Sequence, residues 1–125
     1  MNSTTLLKAI TLLGYESVLY DTINSEEDWN NKVQIISGAD EFNTAIFYET
    51  KPITYQQVVT KYAEVEVEEK WEAIREKRNQ LLAETDYLAL SDNTMSAEMT
   101  AYRQALRDLP ASTSNPDDVV FPTKP

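Results

Sequence analysis

The sequence predicts an α+β protein: a small N-terminal α/β lobe over residues 1–53, a helical hairpin over 54–110 and an extended tail over 111–125. Three observations predict it. Short runs rich in Val, Ile and Tyr, closed by Gly or Pro, fill the first fifty residues. A long helical periodicity begins at Thr54. The last fifteen residues hold three prolines, Pro116, Pro122 and Pro125, so an extended tail is expected there. With only 2 glycines in 125 residues, a many-turned β sandwich is excluded.

Ser3 is placed to cap a short helix whose apolar face is Leu6, Leu7, Ile10 and Leu13, with Gly14 as its stop. YESVLYDTI, Tyr15 to Ile23, alternates like a strand. Ser25 then opens a helix whose first turn holds Glu26, Glu27 and Asp28, carboxylates that suit the positive end of the helix dipole. Ser25 with Asp28 approximates a capping box. Trp29, Val33 and Ile36 supply an i, i+4, i+7 face, and Gly38 is expected to end this helix. Asn43 to Glu49 reads as a second strand, closed by Pro52.

Thr54 and Gln57 form a capping box for a helix reaching about Glu84. Val58, Tyr62 and Val65, then Val67, Trp71, Ile74, Arg78, Leu81 and Leu82, keep helical spacing. That spacing outweighs the strand-like alternation of EVEVEE at Glu64–Glu69, which allows at most a bend. Thr85 to Thr94 is a connector whose Tyr87, Leu88 and Leu90 are expected to tuck between two helices. The second helix starts near Ser96 with Met95, Met99, Tyr102, Leu106 and Leu109 as its stripe, and Pro110 is expected to stop it. Two helices with one stripe each make a thin core, so the tail's Val119–Phe121 patch or another chain is expected to supply further burial.

Charge and composition exclude several functions. The net charge is −10; residues 1–62 carry 4 basic and 8 acidic groups, and residues 63–125 carry 7 and 13. Binding to phosphate needs clustered Lys and Arg, so neither nucleic acid nor an anionic membrane is an expected partner. A nucleic-acid mimic would need its acids in one stripe, and here basic residues interleave with them. Without Cys or His there is no disulfide, no zinc site of the usual kind and no Cys or His nucleophile system. The N-terminal MNSTTLLKAITLLG lacks a basic region and is interrupted by Lys8, unlike a signal peptide. The acid groups Glu26–Glu27–Asp28, Asp40–Glu41 and Asp117–Asp118 could in principle serve a glycan hydrolase, but none stands in a recognisable catalytic or EF-hand loop. They read as solvated acids and helix caps, and no catalytic residue, cofactor or metal is expected.

Trp29 and Trp71 read as core, as do Met95 and Met99, although Met beside Tyr102 could also form an adaptable partner surface. Arg75, Lys77, Arg78, Arg103 and Arg107 form the main cationic group. Pairing within the hairpin to Glu72, Glu76 and Asp108 and service as a docking flank are both open for it.

The run WEAIREKRNQLLAETDYLALSDNTMSAEMTAYRQALRDLP, followed by VVFPTKP, resembles the C-terminal domain of phage tail assembly chaperones and tail fibre assembly proteins. The resemblance rests on Arg75, Arg78, Asn79, Leu81 and Leu82; on Thr85, Asp86 and Tyr87; on Tyr102, Arg103, Leu106, Arg107, Asp108, Leu109 and Pro110; and on Phe121, Pro122 and Pro125. Tyr87 and Phe121 stand where the family often has Trp. The leading ISGADEFNTAIFYETKPITYQQV is similar to segments of small virion-associated proteins of marine and cyanobacterial phages.

The resemblance implies a non-enzymatic helper that binds a trimeric tail fibre protein in the cytoplasm of the infected host, itself oligomeric when fibre-bound, and helps the fibre fold, trimerise or attach. It implies as an alternative a permanent component of the virion tail, such as a fibre adaptor. With amphipathicity, it points to Trp71, Arg75, Arg78, Tyr87, Tyr102, Arg103, Arg107 and Phe121 as partner-binding residues.

Overall fold

The computed structural model describes residues 1–125 and is α+β, with the elements α1 (Ser3–Leu12), β1 (Glu16–Leu19), α2 (Glu26–Lys32), β2 (Val33–Ala39), β3 (Ala45–Phe47), α3 (Tyr55–Ala83) and α4 (Ala97–Ser112). Single 3-10 turns stand at Asp86–Ala89 and Pro116–Asp118. The chain forms two compact units, Met1–Glu66 and Val67–Pro125, with the boundary inside α3. No helix is long and apolar enough to cross a membrane.

In the first unit, α1 is capped one residue earlier than the serine predicted: Asn2 Oδ1 accepts from the N–H groups of Thr4 at 2.9 Å and Thr5 at 3.2 Å. The carboxamide reaches the two orphan amides of the first turn, and Ser3 becomes the first helical residue. Gly14 ends the helix as expected, at φ +94°, a conformation open to glycine at little cost. Ser25 caps α2 by accepting from Asp28 N–H at 3.1 Å. Asp28 reaches past the cap to accept from Asn24 N–H at 3.0 Å, so the box closes one residue early.

The helix expected to run to Gly38 stops at Lys32, and Val33–Ala39 is the central strand of an antiparallel sheet of order β1-β2-β3. Trp29 and Val33 satisfied a helical spacing, but Val33 and Ile35 also alternate, and β-branched side chains favour the pleated surface. Both are buried with Trp29, Leu6, Ile10, Ile23, Ile53 and Val58 in one core. Gly38 marks instead the register irregularity between Ile36 and Gly38 opposite β3. The predicted strands are shorter than read, Glu16–Leu19 and Ala45–Phe47. Between β2 and β3, Asp40 Oδ1 accepts from Phe42 N–H and Thr44 N–H, each at 2.9 Å, and Asn43 takes φ 61°. These bonds fix the hairpin tip.

Helix α3 begins with the predicted capping box. Thr54 N–H donates to Gln57 Oε1 at 2.8 Å, and Gln57 N–H donates to Thr54 Oγ1 at 3.2 Å. The helix is continuous through EVEVEE for 29 residues. The second unit's core is Met99, Tyr102, Leu106 and Leu109, packed by Leu81, Leu82, Leu88, Met95, Val119 and Phe121. Met95 and Met99 are therefore core, and the tail does add its Val119–Phe121 patch. Pro110 does not end α4, which runs on to Ser112. The bias against αR before a proline yields here to the burial of Leu106 and Leu109. The tail is not wholly extended either. Pro116 opens a 3-10 turn whose cap, Asn115 Oδ1, accepts from Asp117 N–H at 3.0 Å.

Candidate partner-docking surface

Helix α3 ends at Ala83, and its last carbonyls have no intrahelical partner. Arg103, from the facing helix α4, supplies one. Its Nη1 donates to the Leu82 carbonyl at 2.8 Å and to Thr85 Oγ1 at 2.5 Å, and its Nη2 donates to Asp86 Oδ1 at 2.7 Å. The Thr85 hydroxyl also donates to the Leu82 carbonyl at 3.1 Å. The guanidinium thus sits at the negative end of the α3 dipole, with its planar fork matched to three acceptors. Thr85 is fully buried and the Arg103 side chain is 7 % exposed, while Asp86 is 64 % exposed and forms the solvent side of the clamp.

The tail is held to the same unit by charge and by ring. Lys70 Nζ meets Asp117 at 3.0 Å, and Lys77 Nζ stands 4.4 Å from the centre of the Phe121 ring. A cation over a phenyl face contributes roughly 0.5–1 kcal/mol at an exposed site. Of the acid pairings considered for the cationic group, none forms as read. Arg75 pairs with Glu68, two turns back, at 3.0 Å, and Asp108 accepts from Gln104 at 3.0 Å.

The eight residues singled out from the sequence fall into three sets. Tyr102 and Arg103 are buried, and Phe121 is half-buried against the core, so these three hold the unit together. For Tyr102 and Arg103 this corrects the expectation of a partner-facing side chain: Tyr102 completes the apolar stripe, and the buried Arg103 fork donates to three acceptors of its own chain. Trp71, Arg75 and Arg78 lie half-buried along one flank of α3; Trp71 belongs to neither core, and Arg78 donates to Asn79 Oδ1 at 2.9 Å and 3.1 Å. Tyr87 and Arg107 are exposed, and no ion pair holds Arg107.

The connector does not tuck away as expected. Leu88 packs on the core, but Tyr87 and Leu90 stand 59 % and 58 % exposed because a single 3-10 turn can aim only one of the three side chains inward. Val120 is 81 % exposed between Val119 and Phe121, which face the core. Sequence reasoning missed the clamp itself; its one signal was Thr85–Asp86 directly after the last apolar residues of α3.

In the first unit, Lys32 bridges Asp28 at 2.8 Å and Asp21 at 3.4 Å. The Thr22 backbone N–H, followed by Lys32, holds the Asp21 carboxyl below its usual range. Lys32, followed by the Asn24 backbone N–H, does the same for Asp28, and Asp28 in turn raises Lys32. No group of three or more acidic side chains is arranged to hold a metal ion.

Residues 71–125 match the family model described as phage tail assembly chaperone protein. The match begins at Trp71 and takes in the clamp, α4 and the tail, as the resemblance implied, and residues 1–70 lie outside it. No curated protein and no solved structure matches the chain. Over these residues, less than half of its length, the chain is similar to phage tail assembly chaperone proteins.

Proposed function

We propose that the protein is a non-enzymatic assembly chaperone for a phage tail fibre, acting in the infected cell on the fibre protein as it folds and trimerises. The observation that carries this reading is the match of residues 71–125 to the phage tail assembly chaperone family. A phage tail protein is the partner such a family implies, and the fibre is our choice among tail proteins. Fibres are β-rich and slow to assemble, with strand edges that aggregate while exposed. A helper with net charge −10 would keep a bound intermediate soluble.

Surface chemistry supports a division of labour within the unit. Tyr87 with Leu90, and Arg107, offer exposed ring, apolar and cationic groups. The α3 flank of Trp71, Arg75 and Arg78 extends the candidate contact. Tyr102, Arg103 and Phe121 act on docking only indirectly, by fixing the helices and tail that carry it.

Co-expression with the fibre encoded by the same phage, followed by size-exclusion chromatography with light scattering, tests the proposal. A co-eluting complex, with soluble fibre only when this chain is present, is expected. Tyr87→Ala with Arg107→Glu should abolish co-elution and leave the melting curve unchanged. A fibre that trimerises unaided and elutes alone refutes the reading. Mass spectrometry of purified virions then tells a chaperone that departs from a component that stays.

A further inference from the structure

β3 is an edge of the three-stranded sheet, and its outer side is free. Asp40 N–H donates to the Thr44 carbonyl at 2.9 Å, and Tyr48 N–H donates to the Ile35 carbonyl at 3.0 Å. Thr44 and Tyr48 therefore turn their main-chain groups toward β2, and strand alternation turns Ile46 the same way. The Ile46 carbonyl also accepts from Ser37 Oγ of β2 at 3.1 Å. Ala45 and Phe47 then point their N–H and carbonyl groups away from the sheet. No hydrogen bond within the chain engages those groups on the outer side.

Nothing in the sequence guards this edge. FNTAIFY, Phe42 to Tyr48, is an uncharged run without Pro or Gly in a chain that is 26% charged. Such runs of β-branched and aromatic residues are the ones that pair strand to strand. Folded proteins blunt an edge with Lys, with Pro or with a bulge. The bulge here lies on β2, between Ile36 and Gly38, and leaves β3 itself plain. Ile46 and Tyr48 share one face of the strand and are 48% and 43% exposed. Ile46 belongs to neither core. The opposite edge, β1, carries a charge at Glu16.

We propose that β3 pairs with β3 of a second copy of this chain, antiparallel about a twofold axis at Ile46, joining the two sheets into one. Ala45 then lies opposite Phe47 of the second copy and Phe47 opposite its Ala45, each pair exchanging both main-chain bonds. Ile46 meets Ile46 in the close, non-hydrogen-bonded pair, where β-branched side chains pack against each other. Tyr48 falls opposite Thr44 and Glu49 opposite Asn43, so no like charges face each other although each chain carries −10. One register thus uses the outward main-chain groups, covers the exposed isoleucine and keeps the acids apart. That register is its own complement, which makes a second copy the fitting occupant. The contact is small, with a strand of 3 residues from each copy, so the dimer dissociates on dilution. It uses residues outside 71–125 and needs no fibre, so it stands apart from the proposed function.

Sedimentation equilibrium of the full chain, from about 10 μM to about 1 mM, is expected to show monomer passing to dimer and no larger species. Over the same range, hydrogen exchange at the Ala45 and Phe47 amides should slow several-fold. Exchange at Ile46 and Tyr48, already paired to β2, should change little. Ile46→Lys and Ile46→Glu each set like charges at the axis, and each alone should stay monomeric. Mixed in equal amounts they should recover the dimer, because Lys then faces Glu. Circular dichroism at low concentration checks that both variants fold, and exchange in the unsubstituted chain decides the matter if either does not. Five results overturn the proposal: a chain still monomeric at the highest concentration, association that runs past the dimer, slowed exchange elsewhere but not at Ala45 and Phe47, a folded single variant that still dimerises, or a mixture of folded variants that stays monomeric.

Discussion

Arg103→Met removes the guanidinium and keeps most of the aliphatic stem, so it isolates the clamp at the end of α3. Hydrogen bonds to a charged group contribute roughly 1.5–3 kcal/mol each. The bond to Asp86 belongs at the bottom of any scale, because that carboxylate is 64 % exposed and exposed pairs contribute roughly 0–1 kcal/mol. The bonds to the Leu82 carbonyl and Thr85 hydroxyl are shielded, but relief of guanidinium desolvation in the variant offsets part of their loss. Thr85 also keeps the Leu82 carbonyl as a partner, which limits the damage. The net cost is about 3 kcal/mol. At roughly 4–8 °C per kcal/mol for a unit of this size, the melting point should fall by about 12–24 °C. Circular dichroism gives the melt, and amide exchange at Leu82–Leu90 assigns it to this unit. Asp86→Asn should cost no more than about 1 kcal/mol. An Arg103→Met chain that melts within about 3 °C of the parent refutes the reasoning. So does an Asp86→Asn variant as damaged as Arg103→Met, since the ion pair and not the helix-end clamp would then carry the energy.

Two other predictions concern the N-terminal unit. The Ser17 hydroxyl is buried with no hydrogen-bond partner, so Ser17→Ala should stabilise the unit by about 1 kcal/mol in urea unfolding; a loss of stability contradicts the assigned burial. The Asp21–Lys32–Asp28 group sets a pH window. The two carboxyls are lowered from 3.8, so their contribution is present above that value and is lost as pH falls through their folded values. Lys32 is raised from 10.5, so its contribution is present below that value and is lost as pH rises through its folded value. The melting point should therefore hold level from roughly pH 5 to 9 and fall on both sides, and Lys32→Met should remove the alkaline limb of this group and reduce its acid limb only in part, because the Thr22 and Asn24 N–H groups still hold the two carboxyls down. A Lys32→Met profile with unchanged limbs counts against the network.

Local chemistry was the legible part of this fold. The Thr54–Gln57 box and the spacing of Val58, Tyr62 and Val65 outweigh five residues of strand-like alternation, because one long helix satisfies every backbone group in that stretch. Gly14 is readable for the same reason: its positive φ is local. Val33 was misread because Trp29–Val33–Ile36 and Val33–Ile35 obey different periods with the same residues, and only pairing to β1 and β3 decides between them. The site was less legible still. Lys70 meets Asp117 across 47 positions, and Arg103 meets Leu82, Thr85 and Asp86 across a connector whose path the pattern leaves open.

The two arginines of AYRQALRDLP show why spacing alone does not assign a role. Arg103 and Arg107 are one turn apart and share a flank of α4. Arg103, however, adjoins Tyr102 at the edge of the buried stripe and lies opposite the end of α3, where the helix-end carbonyl of Leu82 and the negative end of the dipole attract a cation. Arg107 meets no such terminus and remains in solvent. A substitution at Arg103 therefore lowers stability and docking together, and lost co-elution there says nothing about contact. Arg107→Glu reverses an exposed charge without touching the clamp. If it abolishes fibre binding at an unchanged melting point, Arg107 lies in the contact; if binding survives, docking falls to Tyr87 and the α3 flank.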